Sequence, residues 1–290
     1  MGVGLAAERG GAMNPAATLW LTVVAMIAFA ANSLLCRLAL RDTGIDAATF
    51  TTIRIAAGSL ILWGIVRMRH GRGRVAGDWV SATALFAYAA GFSYAYLSLE
   101  AGTGALLLFG AVQATMIGYG LARGERLSRG AVVGLVLAAG GLIGLLLPGL
   151  SAPPLAGALL MGTAGFAWGI YSLRGRGGGD PAAATAGNFV RALPLALVLS
   201  LLGLGDTRFD PVGAAYAVAS GALASGLGYA IWYAALPGLR AASAASVQLS
   251  VPVIAALGGA LLLGESLTLR LLLAAVAILG GIAMVIGSRR

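Results

Sequence analysis

The stretch GERLSRGAVVGLVLAAGGLIGLL, residues 124–146, occurs a second time as GESLTLRLLLAAVAILGGIAMVI, residues 264–286. The two segments align without gaps at an offset of 140 residues. Matching residues include Gly124/Gly264, Glu125/Glu265, Leu127/Leu267, Gly140/Gly280 and Gly141/Gly281. Self-similarity at a fixed offset indicates that the chain is built from a duplicated unit.

The composition of the chain predicts a membrane protein. Of its 290 residues, 59% are hydrophobic and only 10% are charged, whereas a soluble domain keeps roughly a quarter of its residues charged. All 19 basic residues are arginines, and most of them fall between apolar runs. This spacing is how membrane proteins fix their orientation, whereas nucleic-acid binding requires a basic soluble surface. We therefore expect the lipid bilayer, and no nucleic acid, as a partner.

Ten apolar runs approach or reach the length of about 20 residues that a helix needs to cross a bilayer. They cover residues 15–36, 47–67, 79–99, 103–122, 130–147, 154–173, 183–204, 211–235, 241–263 and 268–287. Residues 1–14 are predicted to be a disordered tail that ends in a helix cap, and either Met1 or Met13 could be the initiator. The first run is too long for the core of a cleaved signal peptide. The predicted fold class is an all-α membrane protein with ten transmembrane helices.

The arginines predict how the chain is oriented. Ten spans leave both termini on one side, and placing them in the cytoplasm assigns thirteen arginines to that side. The opposite side receives four, namely Arg37, Arg41, Arg208 and Arg270. This excess on one side is the usual cytoplasmic bias. We expect a multi-pass protein of the bacterial inner membrane with both termini cytoplasmic.

The repeat divides the predicted helices into two halves of five, residues 15–148 and 154–287. At an offset of 137 residues, further matches are Phe29/Phe166, Arg37/Arg174, Arg54/Arg191 and Tyr96/Tyr233. Because five is odd, the second half must enter the membrane from the opposite side. Inverted repeats of this kind give alternating access around a site between the halves. The predicted function is therefore transport.

The paired GERLS and GESLT motifs, each followed by a glycine-rich helix, resemble the EamA repeats of the drug/metabolite transporter superfamily. The arginine early in helices 2 and 7 and Pro252 in helix 9 are similar too, and the resemblance extends over residues 15–287. It implies a ten-helix exporter of metabolites with a central cavity between the halves. Within the superfamily, we expect the YddG-type amino-acid exporters to be the nearest characterised relatives.

Two charged residues lie inside predicted helices, and a charge inside the membrane indicates function by default. Arg54 and Arg191 could bind a substrate carboxylate or form part of a gate. Alternatively, each side chain extends to the nearer interface or bonds helix-end carbonyls. Pro252, with the glycines that follow it, could kink helix 9 at a gate.

Aromatic and uncharged polar residues supply the candidate substrate site. Aromatic rings offer an apolar wall with a polar tip, and amides can both donate and accept hydrogen bonds, which suits a zwitterion. The candidates are Asn32, Tyr88, Phe92, Gln113, Trp168, Tyr171, Tyr229, Trp232 and Gln248. Core packing and the interfacial aromatic belt are the competing interpretations, and Tyr96 and Tyr233 are the strongest belt candidates because they lie near helix ends.

The positions of the acids constrain the mechanism. Every one of the ten acids falls in a tail, a connection or a helix end. Proton-driven transporters usually use a buried carboxylate or histidine. We therefore expect either facilitated diffusion or proton coupling through groups near the interface. The sequence contains no catalytic or metal-binding motif, so we expect neither an enzyme nor a cofactor.

The leading hypothesis is a monomeric exporter of amino acids, aromatic or neutral, or of similar small metabolites. An exchanger of small anionic metabolites held by Arg54 and Arg191 is a second transporter hypothesis. A membrane-embedded enzyme or helper subunit that does not transport is the alternative from another class.

Overall fold

All regular structure is helical in the residues that the computed structural model describes, which are 14–70, 76–149, 151–175 and 180–288. The predicted N-terminal tail, apart from Asn14, lies outside these residues. The helices are α1 (Pro15–Asp42), α2 (Ala47–His70), α3 (Trp79–Ala95), α4 (Ala101–Ala122), α5 (Arg129–Leu146), α6 (Leu155–Arg174), α7 (Pro181–Leu202), α8 (Pro211–Gly238), α9 (Ala241–Val247 and Ser250–Leu263) and α10 (Leu269–Gly287). A helix therefore lies at each of the ten predicted positions.

Polar caps and prolines define where many of these helices begin. The side chains of Asn14, Asp78, Ser128, Asp180, Asp210 and Thr268 each accept a hydrogen bond from a backbone N–H in the first turn. In α1, α7 and α8 a proline follows the cap, where its missing N–H costs nothing and its fixed φ suits the helix.

Nine helical stretches in the described residues are long and apolar enough to cross a membrane. The tenth, α3, has only 17 residues. Helix-like hydrogen bonds continue past its end, since the amide of Leu99 donates to the carbonyl of Ala95 at 3.0 Å. A multi-pass membrane protein is thus confirmed, whereas ten crossings stay a prediction.

Two helices depart from regular α geometry. In α8, residues Ser220–Leu227 form a π-helical segment. In α9, the helix is interrupted between Val247 and Ser250, just before Pro252. Pro252 has no N–H to donate to the carbonyl four residues earlier, and that carbonyl, of Gln248, instead accepts from Val251 at 3.1 Å. The interruption thus lies just before Pro252, whereas the helix continues unbroken through the glycines that follow it. A kink that serves a gate stays a prediction.

Most of the larger contacts between helices have a counterpart when residues 15–148 and 154–287 are exchanged. The pairs α2–α7, α4–α9 and α5–α10 map onto themselves. The pairs α3–α6, α4–α6 and α3–α7 map onto α1–α8, α1–α9 and α2–α8, all of which are in contact.

The two copies of the stretch at 124–146 and 264–286 begin with a similar local structure. Gly124 and Gly264 both adopt positive φ, 88° and 64°, which a residue with a Cβ rarely does. The amide of Glu125 donates to the carbonyl of Gly120, five residues earlier, at 3.1 Å, whereas that of Glu265 donates to the carbonyl of Gly259, six residues earlier, at 3.0 Å.

Candidate functional site

A buried arginine lies at the centre of the bundle. The side chain of Arg54 on α2 is only 2% exposed. Its Nη2 donates to the hydroxyl of Tyr88 at 3.0 Å, and its guanidinium carbon lies 4.8 Å from the ring centroid of Phe92 and 5.2 Å from that of Tyr88. The other terminal nitrogen, Nη1, is buried without a hydrogen-bond partner.

A short chain of polar groups extends from this arginine towards α1 and α8. The Tyr88 hydroxyl also accepts a hydrogen bond from Nδ2 of Asn32 at 3.2 Å. The carbonyl oxygen of Asn32 in turn accepts from the hydroxyl of Ser220 at 2.6 Å. This chain of hydrogen bonds therefore connects α2, α3, α1 and α8. Arg54 is its one charged member, and the other three side chains are neutral.

Aromatic rings from both halves pack around the same point. The ring of Trp168 on α6 lies 4.7 Å from Tyr88 on α3, and it stacks on Tyr171 at 5.2 Å and on Tyr229 of α8 at 5.3 Å. Phe92 lies 5.4 Å from Tyr88. These distances are typical of favourable ring pairs.

We call this group the arginine–aromatic cluster. It consists of Asn32, Arg54, Tyr88, Phe92, Trp168, Tyr171 and Tyr229, together with Trp232, which is joined to Tyr229 through the ring of Phe29. All eight were sequence candidates, and the structure brings them together.

Three further cluster neighbours were missed. Phe29 bridges Tyr229 and Trp232 at 5.7 and 6.1 Å, Phe189 contacts Tyr229 at 6.1 Å, and Ser220 binds Asn32. Phe29 could have been found from its repeat match with Phe166, but Phe166 itself is 56% exposed and faces outward.

The remaining candidates lie elsewhere. Gln113 is buried within α4, and Gln248 is half-buried at the interruption of α9. Pro252 lines a separate, wholly apolar cavity of about 290 Å³ between α4, α9 and α10. Arg191 donates to the carbonyls of Ala76 at 2.8 Å and Gly187 at 2.9 Å, so it bonds one carbonyl in the connection before α3 and one within α7. Their functional roles stay predictions.

The interfacial role expected of Tyr96 is wrong. Its side chain is fully buried, its hydroxyl donates to the carbonyl of Ala101 at 3.2 Å, and its ring meets Phe92 at 4.8 Å. Burial against the start of α4 leaves it no contact with the interface. Tyr233 is half-buried and shares a hydrogen bond of 3.0 Å with Thr185.

Ion pairs tie the helices together at one end of the bundle. Nε of Arg37 on α1 contacts Oε1 of Glu265 at 3.1 Å, and Nη1 of Arg37 donates to the carbonyl of Tyr96 at 2.9 Å. The second oxygen of Glu265 accepts from the amide of Ala101, at the first residue of α4, at 2.8 Å. Burial raises the pKa of the neighbouring Glu100 above its ordinary value, and the charge of Glu265 adds to this. Glu100 is thus a titratable group near this network.

A different pair ties the other end. Nη2 of Arg174, at the end of α6, contacts Oδ1 of Asp78 at 2.9 Å, and its Nε donates to the Ser81 hydroxyl at 3.1 Å. Burial opposes ionisation of Asp78, but the hydrogen bonds from Ser81 and Arg174 outweigh it and lower the pKa of this carboxyl. Asp78 is therefore ionised and holds α3 against α6.

No three His, Cys, Asp or Glu side chains lie close enough to bind a metal ion in the described parts of the chain. The arginine–aromatic cluster itself offers a charge, hydrogen-bonding groups and ring surfaces.

Long apolar helices enclosing a buried arginine and a set of aromatic rings define a multi-pass membrane protein. The chain is similar over its length to "Uncharacterized protein PA1977" of Pseudomonas aeruginosa, with 62% identity over 273 residues, 94% of this chain and 95% of that protein. Residues 155–287 match the EamA-like transporter family, and the chain belongs to this family. A solved structure titled "Crystal structure of protein" has the same fold, with a TM-score of 0.67 at 16% identity over 96% of this chain and all of that one.

Proposed function

We propose that this protein is an alternating-access transporter of the bacterial inner membrane that exports amino acids, aromatic or neutral, or similar small metabolites. Family membership supports the coarser statement, a membrane transporter of small metabolites. In the proposal ten helices cross the membrane, residues 15–148 and 154–287 are inverted halves, and both termini are cytoplasmic. A monomer suffices, no cofactor takes part, and the protein is not an enzyme.

The observation that carries the proposal is the composition of the arginine–aromatic cluster. Helices α1, α2 and α3 of the first half contribute Asn32, Arg54 and Tyr88, while α6 and α8 of the second half contribute Trp168 and Tyr229. A solute bound among these side chains would touch both halves at once. Movement of one half against the other would then change its access to each side of the membrane.

The ion pairs at the two ends support two alternating closed faces. Arg37 and Arg174 are equivalent under exchange of the halves, and so are Glu265 and Glu125. In this structure Arg37 pairs with Glu265, whereas Arg174 pairs with Asp78. Equivalent arginines therefore have non-equivalent partners, as expected when the two faces are in different states.

The mirror conformation follows from the same equivalence. Asp78 caps α3, and Asp210 caps α8 in the same way, accepting from the amide of Gly213 at 2.8 Å. Exchange of the halves pairs Arg174 with Glu125 and Arg37 with Asp210. Transport would then alternate between the observed set of pairs and this second set.

Purified protein in liposomes tests the function directly. A panel of labelled amino acids, with and without a pH gradient, is expected to show uptake of neutral or aromatic members above that of empty liposomes. If no labelled solute enters, the chain is the alternative, a membrane enzyme or helper subunit. If the pH gradient stimulates transport and Glu100→Gln abolishes that stimulation, proton coupling is assigned to an acid near the interface.

Cys36, the only cysteine of the chain, reports on the closed face. It is fully buried and adjacent to Arg37. We expect Glu265→Gln to raise the rate at which N-ethylmaleimide modifies Cys36 by about tenfold, because losing one charged hydrogen bond shifts the closed–open equilibrium by roughly that factor. Labelling rates in detergent measure this.

The matched control is Glu125→Gln, the same substitution at the equivalent position. In the mirror conformation this glutamate closes the opposite face, so its loss is expected to give no rise in Cys36 labelling. Equal rises in both variants would mean general loosening rather than a switch. An unchanged rate in Glu265→Gln would remove this pair from the mechanism.

A further inference from the structure

We infer that Nη1 of Arg54 is the binding point for a substrate carboxylate, an inference that rests on the proposed function. The nitrogen is inside the bundle, is part of a side chain only 2% exposed, and has no hydrogen-bond partner. Its sister nitrogen, Nη2, is already bound to Tyr88 at 3.0 Å. One N–H edge of the guanidinium is thus free to receive a ligand oxygen.

The charge of Arg54 is also uncompensated. Among the residues that the structure describes, the ion pairs involve Arg37, Arg41 and Arg174, and none involves Arg54. A buried charge without a counter-ion is costly and persists where it has a function. The ring faces of Phe92 and Tyr88 offset part of this cost but carry no net charge. A bound anion would supply the negative counter-charge that the surrounding side chains do not provide.

The comparison with Arg191 shows that the free nitrogen is not a general feature of arginines in these helices. Arg191 is the repeat equivalent of Arg54, but its Nη1 donates to two backbone carbonyls, those of Ala76 and Gly187. Backbone groups therefore satisfy one arginine, while the other is held among rings and a phenol. Of the two, Arg54 is the one left open to a ligand.

The remainder of the cluster defines the rest of the ligand. Trp168, Tyr229 and Phe92 offer apolar ring surfaces, and Asn32 and Tyr88 supply neutral polar groups. No described carboxylate contributes to the cluster, so an ammonium group would find no counter-charge there. The substrate class is small monocarboxylates with a flat or apolar remainder. Amino acids qualify through the carboxylate, and the amino group is dispensable.

Four probes that share the benzyl group of phenylalanine distinguish the need for a carboxylate from the need for an amine. They are labelled phenylalanine, 3-phenylpropionate, which lacks the amine, phenylalaninamide, which lacks the carboxylate charge, and phenethylamine, which lacks the carboxyl group. Wild-type protein in liposomes is expected to carry the first two at least tenfold faster than the last two, since a hydrogen bond to a charged group contributes about that factor or more.

Arg54→Gln is expected to remove this preference, and Arg54→Lys to keep part of it because the charge remains. Arg191→Gln is the matched control and should leave the preference for carboxylates unchanged. A second readout does not depend on transport: 3-phenylpropionate should raise the melting temperature of the wild type but not of Arg54→Gln, because a ligand stabilises the state it binds.

Two outcomes would overturn the inference: equal transport of phenylalanine and phenylalaninamide, or an unchanged preference in Arg54→Gln. Either result leaves transport itself intact. If instead none of the four probes and no member of the amino-acid panel enters the liposomes, the proposed function fails.

Discussion

Replacing Trp168 with alanine is expected to lower transport by at least tenfold and to destabilise the protein by about 3 kcal/mol. Trp168 contacts Tyr88, Tyr171 and Tyr229 at centroid distances of 4.7–5.3 Å, so it joins the ring surfaces that the two halves contribute. Its removal leaves a gap between the halves at the proposed binding point. Initial rates in liposomes and melting temperatures measure both effects.

Two variants separate loss of the site from loss of the fold. Phe166→Ala removes an aromatic ring from the same helix, but that ring is 56% exposed, and we expect near-normal transport and stability. Trp168→Phe retains a ring and should recover most of the stability. If Phe166→Ala and Trp168→Ala reduce transport equally, α6 matters as a whole and the cluster has no special role.

Replacing Gly281 with leucine is expected to separate α5 from α10 and to lower the free energy of unfolding by about 3 kcal/mol. A Cβ at Gly281 would overlap the carbonyl oxygen of Gly134, and a Cβ at Gly134 would overlap that of Gly281. Two backbones that approach this closely leave no room for a side chain. The melting temperature in detergent should fall accordingly.

The adjacent residue provides the control for this prediction. A Cβ at Gly280 would meet nothing within 4 Å, so Gly280→Leu adds the same apolar side chain to the same helix without a clash. We expect its melting temperature to stay close to that of the wild type. A similar loss in both variants would show that the cost comes from helix α10 itself and not from its contact with α5.

The sequence predicted helix positions well because long apolar runs are unambiguous in a membrane protein. The end of α1 was the largest error, since it was expected at residue 36 and lies at Asp42. In the sequence, Arg37 and Arg41 indicated a solvent-exposed connection that follows the end of the first helix. Both are accommodated within the helix because Arg37 pairs with Glu265 and Arg41 donates to the carbonyl of Leu263 at 2.9 Å.

The site was predictable in composition but not in arrangement. The sequence identified Arg54 and Arg191 as equivalent, because each is an intramembrane arginine at the same place in its half. What distinguishes them is tertiary, namely the carbonyl of Ala76 that reaches Arg191 and the rings that surround Arg54. Likewise, periodicity does not reveal which face of a uniformly apolar helix is buried, so Tyr96 was misjudged and Phe29 was missed.

The π-helical segment Ser220–Leu227 gives α8 one residue of slack between Ser220, which binds Asn32, and Tyr229, which stacks on Trp168. Reverting this segment to α-helical bonding changes the register by one residue, a turn of about 100° and a slide of about 1.5 Å. Tyr229 and Trp232 would swing away together while the preceding part of the helix stayed docked on α2. A change of hydrogen bonding within this one helix would therefore alter which of its side chains face the arginine–aromatic cluster.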